Sequence, residues 1–362
     1  MNKRITLCRA VIFCAVCGVS FAAEYSFDTL AGLGMEGFED AQGRDAKFNN
    51  PQGIAVDKAG TVYVADTGNS VIRKITPDGT VTNYVGVPGE TGCIDGKVAV
   101  AKFDHPKGLT FDAAGNLYVA DAENNVIRKI TTNGVVSTLA GTRGRAGYVD
   151  GEGTTAQFNW PFGLAVDSAT NVYVADHGNH VIRKITPDSK VSTLAGCPGN
   201  PGNRGGKAAE AQFKDPAGVA VDQAGNVYVA DSGNDLIRMI STNGIVSVLA
   251  GGSEFRGEIV DGKGAAAHFS RPKGIAIDQT GILYVADTLE YAIRRIASDG
   301  TVKTLGGRFV SKYERPLARV GRDGIGADAR FNCPSAIAVD AAGTLYICDT
   351  EDNIIRIARP VK

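Results

Sequence analysis

The chain has 362 residues, with 38 Lys and Arg set against 39 Asp and Glu, for a net charge of −1. That balance offers no clustered basic surface and argues against nucleic acid as a partner. A chain of this length buries a large core unaided, and its 46 glycines point to a fold full of turns.

Residues 1–22 read as a secretory signal peptide. Lys3, Arg4 and Arg9 form a basic start, Ile5 to Ser20 is largely apolar, and Ser20-Phe21-Ala22 offers small residues for cleavage. Cys8, Cys14 and Cys17 lack a convincing lipobox, so lipid anchoring and an uncleaved membrane helix are the lesser alternatives. Cleavage removes three of the 38 basic groups and no acid, leaving 35 against 39 and a net charge of −4. The expected location is secreted or periplasmic, with no membrane span after cleavage. Four cysteines remain, Cys93, Cys197, Cys333 and Cys348. Oxidising compartments permit disulfides, but these four read as unpaired, with Cys348 standing in for a core alanine.

From residue 23 to residue 362 one unit recurs. Its Asp returns as Asp66, Asp121, Asp176, Asp231, Asp287 and Asp349, at gaps of 55, 55, 55, 56 and 62 residues. Its Arg keeps step as Arg73, Arg128, Arg183, Arg238, Arg294 and Arg356, and a Pro upstream does the same from Pro51 to Pro334. A fixed period marks a repeat architecture. Each unit carries four short runs with period two, bounded by Gly, Asn and Asp, as in Gly108–Asp112, Leu117–Ala120, Val126–Ile130 and Val135–Ala140. Such runs are strands. Six four-stranded antiparallel units predict an all-β, six-bladed β-propeller. The last repeat stops at its third strand. Phe27-Asp-Thr-Leu-Ala-Gly32 matches the fourth strand of other repeats, such as Val136 to Gly141. The N-terminal strand is therefore expected to complete the last blade and close the ring, which removes exposed sheet edges.

Pro-x-Gly-Ile-Ala-Val-Asp, followed by Val-Tyr-Val-Ala-Asp-Thr-Gly-Asn-x-Val-Ile-Arg-Lys-Ile, resembles the NHL repeat family, and Asn179-His180-Val181 is similar to the triplet that names it. The resemblance covers essentially all of residues 23–362. The long Asp-Gly loop before Phe-x-x-Pro is similar to bacterial and plant NHL proteins and to the teneurin NHL domain. It implies a six-bladed propeller. The family includes adhesion and scaffold domains, RNA-binding domains and a few enzymes, so it leaves the activity open.

With strands a to d running outward from the axis, the b–c turns and the long d–a connections share one face. Function is expected there, around the channel mouth. Asp40, Asp95, Asp150, Asp261 and Asp323 each precede a recurring Phe by eight residues, with Gly205 in the fourth loop. Calcium ligation is one reading. Calcium needs six to eight converging oxygens, and equivalent positions diverge, so each Asp reads instead as turning its own backbone beside a Phe that plugs a blade seam. The recurring Asp of strand b reads as a turn cap. The recurring Arg of strand c reads as a bond to a neighbouring blade.

Candidate ligand contacts lie where the copies disagree. The residues flanking the recurring Pro are Asn50 and Gln52, His105 and Lys107, Trp160 and Phe162, Asp215 and Ala217, Arg271 and Lys273, and Cys333 and Ser335. Trp160, Phe162 and Tyr148 suggest an aromatic group. His105, Lys107, Arg271 and Lys273 add polar contacts, and His177 and His180 complete the candidate mouth. A zinc shared by His177 and His180 lacks further ligands, and no metal site or catalytic residue is assigned. Hydrolytic propellers that the resemblance brings to mind hold an axial metal with Glu, Asn and Asp, and lyases of the family use several His. Strand a here reads Gly-Ile-Ala-Val-Asp instead. The connection from Arg308 to Arg322, with Lys312, Arg315 and Arg319, reads as a solvated insertion, a partner-docking flap being the alternative. The expected function is a secreted or periplasmic, non-catalytic, monomeric module for a protein, peptide or glycan, without a cofactor. The alternative is a metal-dependent hydrolase or lyase, lactonase-like, using the channel.

Overall fold

A computed structural model describes residues 24–252, 259–308 and 321–361. The expected signal peptide and most of the Arg308 to Arg322 connection lie outside them. The described chain is a six-bladed β-propeller of antiparallel blades. Blade three is representative: strand a is Pro161–Val166, b is Val172–Asp176, c is Val181–Ile185 and d is Lys190–Ala195. Strands b and c are β-branched and almost wholly buried, as strands sandwiched between two neighbouring blades must be. Among the described residues no helix is long and apolar enough to cross a membrane.

Ring closure follows the expected offset. Tyr25–Ala31 is strand d of blade six and pairs antiparallel with its strand c, Ile354–Pro360, from Tyr25 opposite Pro360 to Ala31 opposite Ile355.

The d–a connections hold structure that the sequence reading left out. In five of the six, two residues add a fifth strand to the outer edge of the following blade, as Gly151–Glu152 does on Lys190–Ala195. Blades two, four, five and six have the same addition, through Gly96–Lys97, Gly206–Lys207, Gly262–Lys263 and Gly324–Ile325. Blade one keeps a single bridge, Gln42 to Thr80. Each connection thus crosses the rim of the next blade before it returns to the axis, and the exposed edge of strand d is shortened.

The core consists of six seams between blades rather than one centre. The seam between blades six and one holds Phe48, Val64, Ile75, Ile347's neighbour Cys348, and Ile355. Phe48, Phe103, Phe158, Phe213 and Phe269 are all fully buried, and Phe331 nearly so. Each ring fills its seam as expected, contributing about 1.5–3 kcal/mol of apolar burial. Cys93, Cys197, Cys333 and Cys348 are all free thiols.

Candidate functional site

The repeated polar groups form a frame, and the frame uses them up. Arg183 is fully buried. Its Nη1 donates to the Gln157 carbonyl at 3.0 Å and to Asp176 Oδ2 at 2.9 Å. Its Nη2 donates to the Val149 carbonyl at 3.0 Å and to Asp150 Oδ1 at 2.6 Å. Phe158 and Tyr148 cover the guanidinium at 5.1 and 4.9 Å. The partners of this Arg therefore lie in strand b and in the connection leading into its own blade. Asp176 caps nothing with its side chain. Instead Oδ1 accepts the Asn159 N–H at 2.8 Å and Oδ2 accepts the Asn179 amide at 2.8 Å. The loop Asp is also redefined. Asp150 ties the connection to the Arg of strand c and to the Thr193 N–H of strand d. These bonds reach strands c and d rather than the backbone turn next to it. Blade four lacks this acid, and Arg238 keeps only Asp231 as a carboxylate partner.

The residue before each recurring Pro adopts a left-handed backbone: Asn50, His105, Trp160, Asp215, Arg271 and Cys333 have φ between 48° and 56°. This is costly for side chains of such bulk, and pre-proline residues ordinarily favour extended backbone. The neighbouring blade holds it in place. The N–H of Trp160 donates to Asn125 Oδ1 at 2.8 Å, that of Arg271 to Asp235 Oδ1 at 2.7 Å, and that of Asn50 to Asn353 Oδ1 at 2.7 Å. His180 fills this structural role in blade three, its Nδ1 accepting the Asp215 N–H at 3.1 Å. His177 is a second fastener. Its Nδ1 donates to the Pro216 carbonyl at 3.1 Å, as the hydroxyls of Thr67, Thr288 and Thr350 donate to the corresponding prolines of the next blades. Burial lowers the His177 pKa. The Nδ1 atoms of the two histidines thus engage different backbone partners.

The strained positions present six unlike side chains around the mouth, and the residues after Pro form a second ring inside them. Trp160 and Phe162 meet edge to face at 6.3 Å, and His177 joins them at 5.2 and 5.5 Å. Tyr148 is corrected: it lies on the outer side of the blade over Arg183, with its hydroxyl 2.6 Å from Thr193 Oγ1. His105 also turns aside, its Nδ1 2.7 Å from Asp104. Lys107 is 5% exposed. Its ammonium sits 5.0 and 4.8 Å over the Trp160 and Phe162 rings and donates to Gln52 Oε1 at 2.7 Å. Burial, then Lys273, lowers its pKa to about 8. Burial lowers the Lys273 pKa as well.

Between blades five, six and one the mouth opens into a cup of about 400 Å³, lined by Asn50, Gln52, Arg271, Lys273, Cys333 and Glu351 among others. Burial and the Glu351 charge raise the Cys333 pKa, so its thiol is not an activated nucleophile. Beneath the cup the axis narrows to a cavity of about 60 Å³ walled by Gly53, Gly108, Gly163, Gly218 and Gly274. A Cβ on Gly163 would stand 2.4 Å from the Ala217 carbonyl oxygen, and one on Gly53 1.7 Å from that of Lys107. Glycine is what lets the inner strands close this throat. Gln52, Phe162, Lys273 and Ser335 also line the throat, beside the apolar residues of the inner strands. Among the described residues no group of three or more His, Cys, Asp and Glu converges. The cup residues Thr288, Leu289, Thr350 and Glu351 come from b–c turns and were missed. Their signal is a turn position that varies as Gly68, Glu123, Gly178, Gly233, Leu289 and Glu351.

Comparisons with known proteins fit this architecture. The teneurin NHL domain model matches residues 87–201 and 197–259, and the NHL repeat model matches residues 48–75. NHL repeat-containing protein 2 of Gallus gallus is 29% identical over 346 residues, covering 85% of this chain and 46% of that protein. Protein SUPPRESSOR OF QUENCHING 1, chloroplastic, of Arabidopsis thaliana is 27% identical over 322 residues, covering 84% and 30%. The chain thus spans less than half the length of these relatives. An auxiliary nutrient binding protein from Bacteroides ovatus superposes with a TM-score of 0.67 at 15% identity, covering 94% of this chain and 78% of that one. A streptogramin B lyase does so at 0.57 and 12%, covering 93% and 98%. At such identities the superpositions speak for the fold alone. From the repeated frame, the closed ring and the family matches together, the chain belongs to the NHL repeat family as a six-bladed propeller.

Proposed function

We propose that this propeller is a secreted or periplasmic, non-catalytic binding module that takes a glycan, peptide or protein segment at the mouth on its d–a face. One observation carries the reading. The copies share the Asp, Arg and Pro frame that builds the ring and diverge at the two residues flanking each recurring Pro, and three of those pairs, in blades one, five and six, line a cup of ligand size. The likeness in fold to a nutrient binding propeller supports it. The lyase-type alternative needs several His or acids on the axis, and the polar side chains of the throat are Gln52, Lys273 and Ser335.

Trp160 is the sole tryptophan, so its fluorescence reports directly on the mouth. A panel of soluble glycans and peptides titrated into the protein should yield a saturable change, and Trp160→Ala should abolish the thermal stabilisation that ligand brings. A ligand that stabilises wild type and Trp160→Ala equally, or one that is turned over, sinks the reading. Melting after EDTA, then with calcium or zinc, should give the same midpoint. An ion at a hundred times its dissociation constant would add about 2.7 kcal/mol, and such a shift would bring lactone hydrolysis and lyase assays forward.

A further inference from the structure

We propose that the ligand is an organic monoanion: a carboxylate seated between Lys273 and Lys107, whose ammonium meets the cup at Gln52, on a hydroxylated ring held in the cup, as in an acidic monosaccharide. This rests on the binding reading and specifies its chemistry. The inner ring of the mouth is Gln52, Lys107, Phe162, Ala217, Lys273 and Ser335. It holds two cations and no acid. Elsewhere the molecule neutralises its buried cations: all six strand-c arginines are fully buried, and each lies within 3.4 Å of a fully buried Asp. Lys107 is nearly as deep and has an amide oxygen and two ring faces instead of a carboxylate. Lys273 lines both the cup and the throat. Among the described residues it has neither an ion pair nor a hydrogen bond. Unpaired cations removed from water are costly, and the Lys273 charge acts on Lys107. One carboxylate between them relieves both.

The acids on the rim limit the charge of the guest. Glu123 accepts the Trp160 Nε1–H at 3.1 Å, and Asp215 pairs with Arg271 at 3.3 Å. Glu351 lines the cup and acts on Lys273. Those negative charges disfavour a phosphate dianion and leave room for a single one. The closed throat limits length, so the guest sits in the cup and does not thread the ring. Asn50, Gln52 and Ser335 put hydroxyl-bonding groups on the wall of the cup, and a sugar ring offers hydroxyls on its edge.

The test is a titration of the full mature chain with glucuronic acid and with glucose, read by Trp160 fluorescence at pH 7. Glucuronic acid should saturate and glucose should bind at least tenfold more weakly. Lys273→Met should erase that difference and Lys273→Arg should retain most of it. Raising the pH through 8 should weaken glucuronic acid and leave glucose unchanged. An acetylated dipeptide and its amide form the control arm: if the dipeptide acid binds and glucuronic acid does not, the saccharide assignment is overturned. Equal binding of glucose and glucuronic acid overturns the anion and leaves the binding module standing. If neither sugar binds while the wider panel yields a Trp160-dependent ligand, the anion again falls alone; an empty panel takes both readings down.

Discussion

Arg183 and Lys107 are cations removed from water on the same scaffold, one in the frame and one at the mouth. Arg183 meets two carboxylates, two carbonyls and two aromatic rings. Lys107 meets an amide and two rings. The frame is self-satisfied and is repeated because every blade needs it. At the mouth Lys107 has no carboxylate in contact among the described residues, and Glu123 acts on it only at a distance. Self-sufficiency marks architecture in this molecule, and electrostatic incompleteness marks the surface that differs from copy to copy.

The sharpest way to break the comparison is Arg183→Met. It leaves Asp176 buried without its cation, and urea denaturation should show a loss of about 3–5 kcal/mol. A loss below about 1 kcal/mol would make the arginine frame a bystander. Gly163→Ala comes next. Its methyl group would press on the Ala217 carbonyl, and overpacking of that kind costs about 1–3 kcal/mol. Blade six already carries Ala336 at the matching position, so Ala336→Gly should cost less than Gly163→Ala.

Lys107→Met should act with the opposite sign. Its folded pKa of about 8 lies below the ordinary lysine value of 10.5, so burial penalises the charged form. Below pH 8 both folded and unfolded chains hold the proton and the penalty is fully present. Between pH 8 and 10.5 the folded chain loses it first, and the wild type gains stability. The variant should therefore be more stable by about 1–3 kcal/mol at pH 7, with the advantage vanishing by pH 10.5. A variant less stable at pH 7 would mean that the lysine is satisfied where it sits. Smallest is Thr67→Val, which strands the Pro106 carbonyl and should cost about 1 kcal/mol. The same change at Thr350, across the closing seam, should match it if all six seams are equivalent.

The period of Asp66, Arg73 and Pro51 was legible because each blade solves one packing problem in one way. The closing strand was legible because Phe27 to Gly32 repeats a known strand d. The role of Asp150 was not. Its Arg183 partner lies 33 residues away, and only the register of the connection against strand d brings them together. The fifth strands escaped because two residues such as Gly151 and Glu152 are too short to show any alternation. Tyr148 was placed with Trp160 by aromatic character, although its spacing to Phe158 equals that of Phe38 to Phe48, and both Tyr148 and Phe38 cover the arginine of their blade. The variable residues around each Pro were visible, but their left-handed backbone was not, since sequence alone assigns pre-proline residues the opposite preference.

Closure by Tyr25–Ala31 also sets an order of events. Of the propeller's described strands this one comes first in the chain and its partner, Ile354–Pro360, last. More than three hundred residues separate them, the kind of long-range pairing that folds slowly. Until it forms, blade six shows an open edge able to recruit a second chain. The final seam thereby works as a checkpoint: damage near either end of the propeller is felt at the same place, and only a chain with both strands intact is sealed.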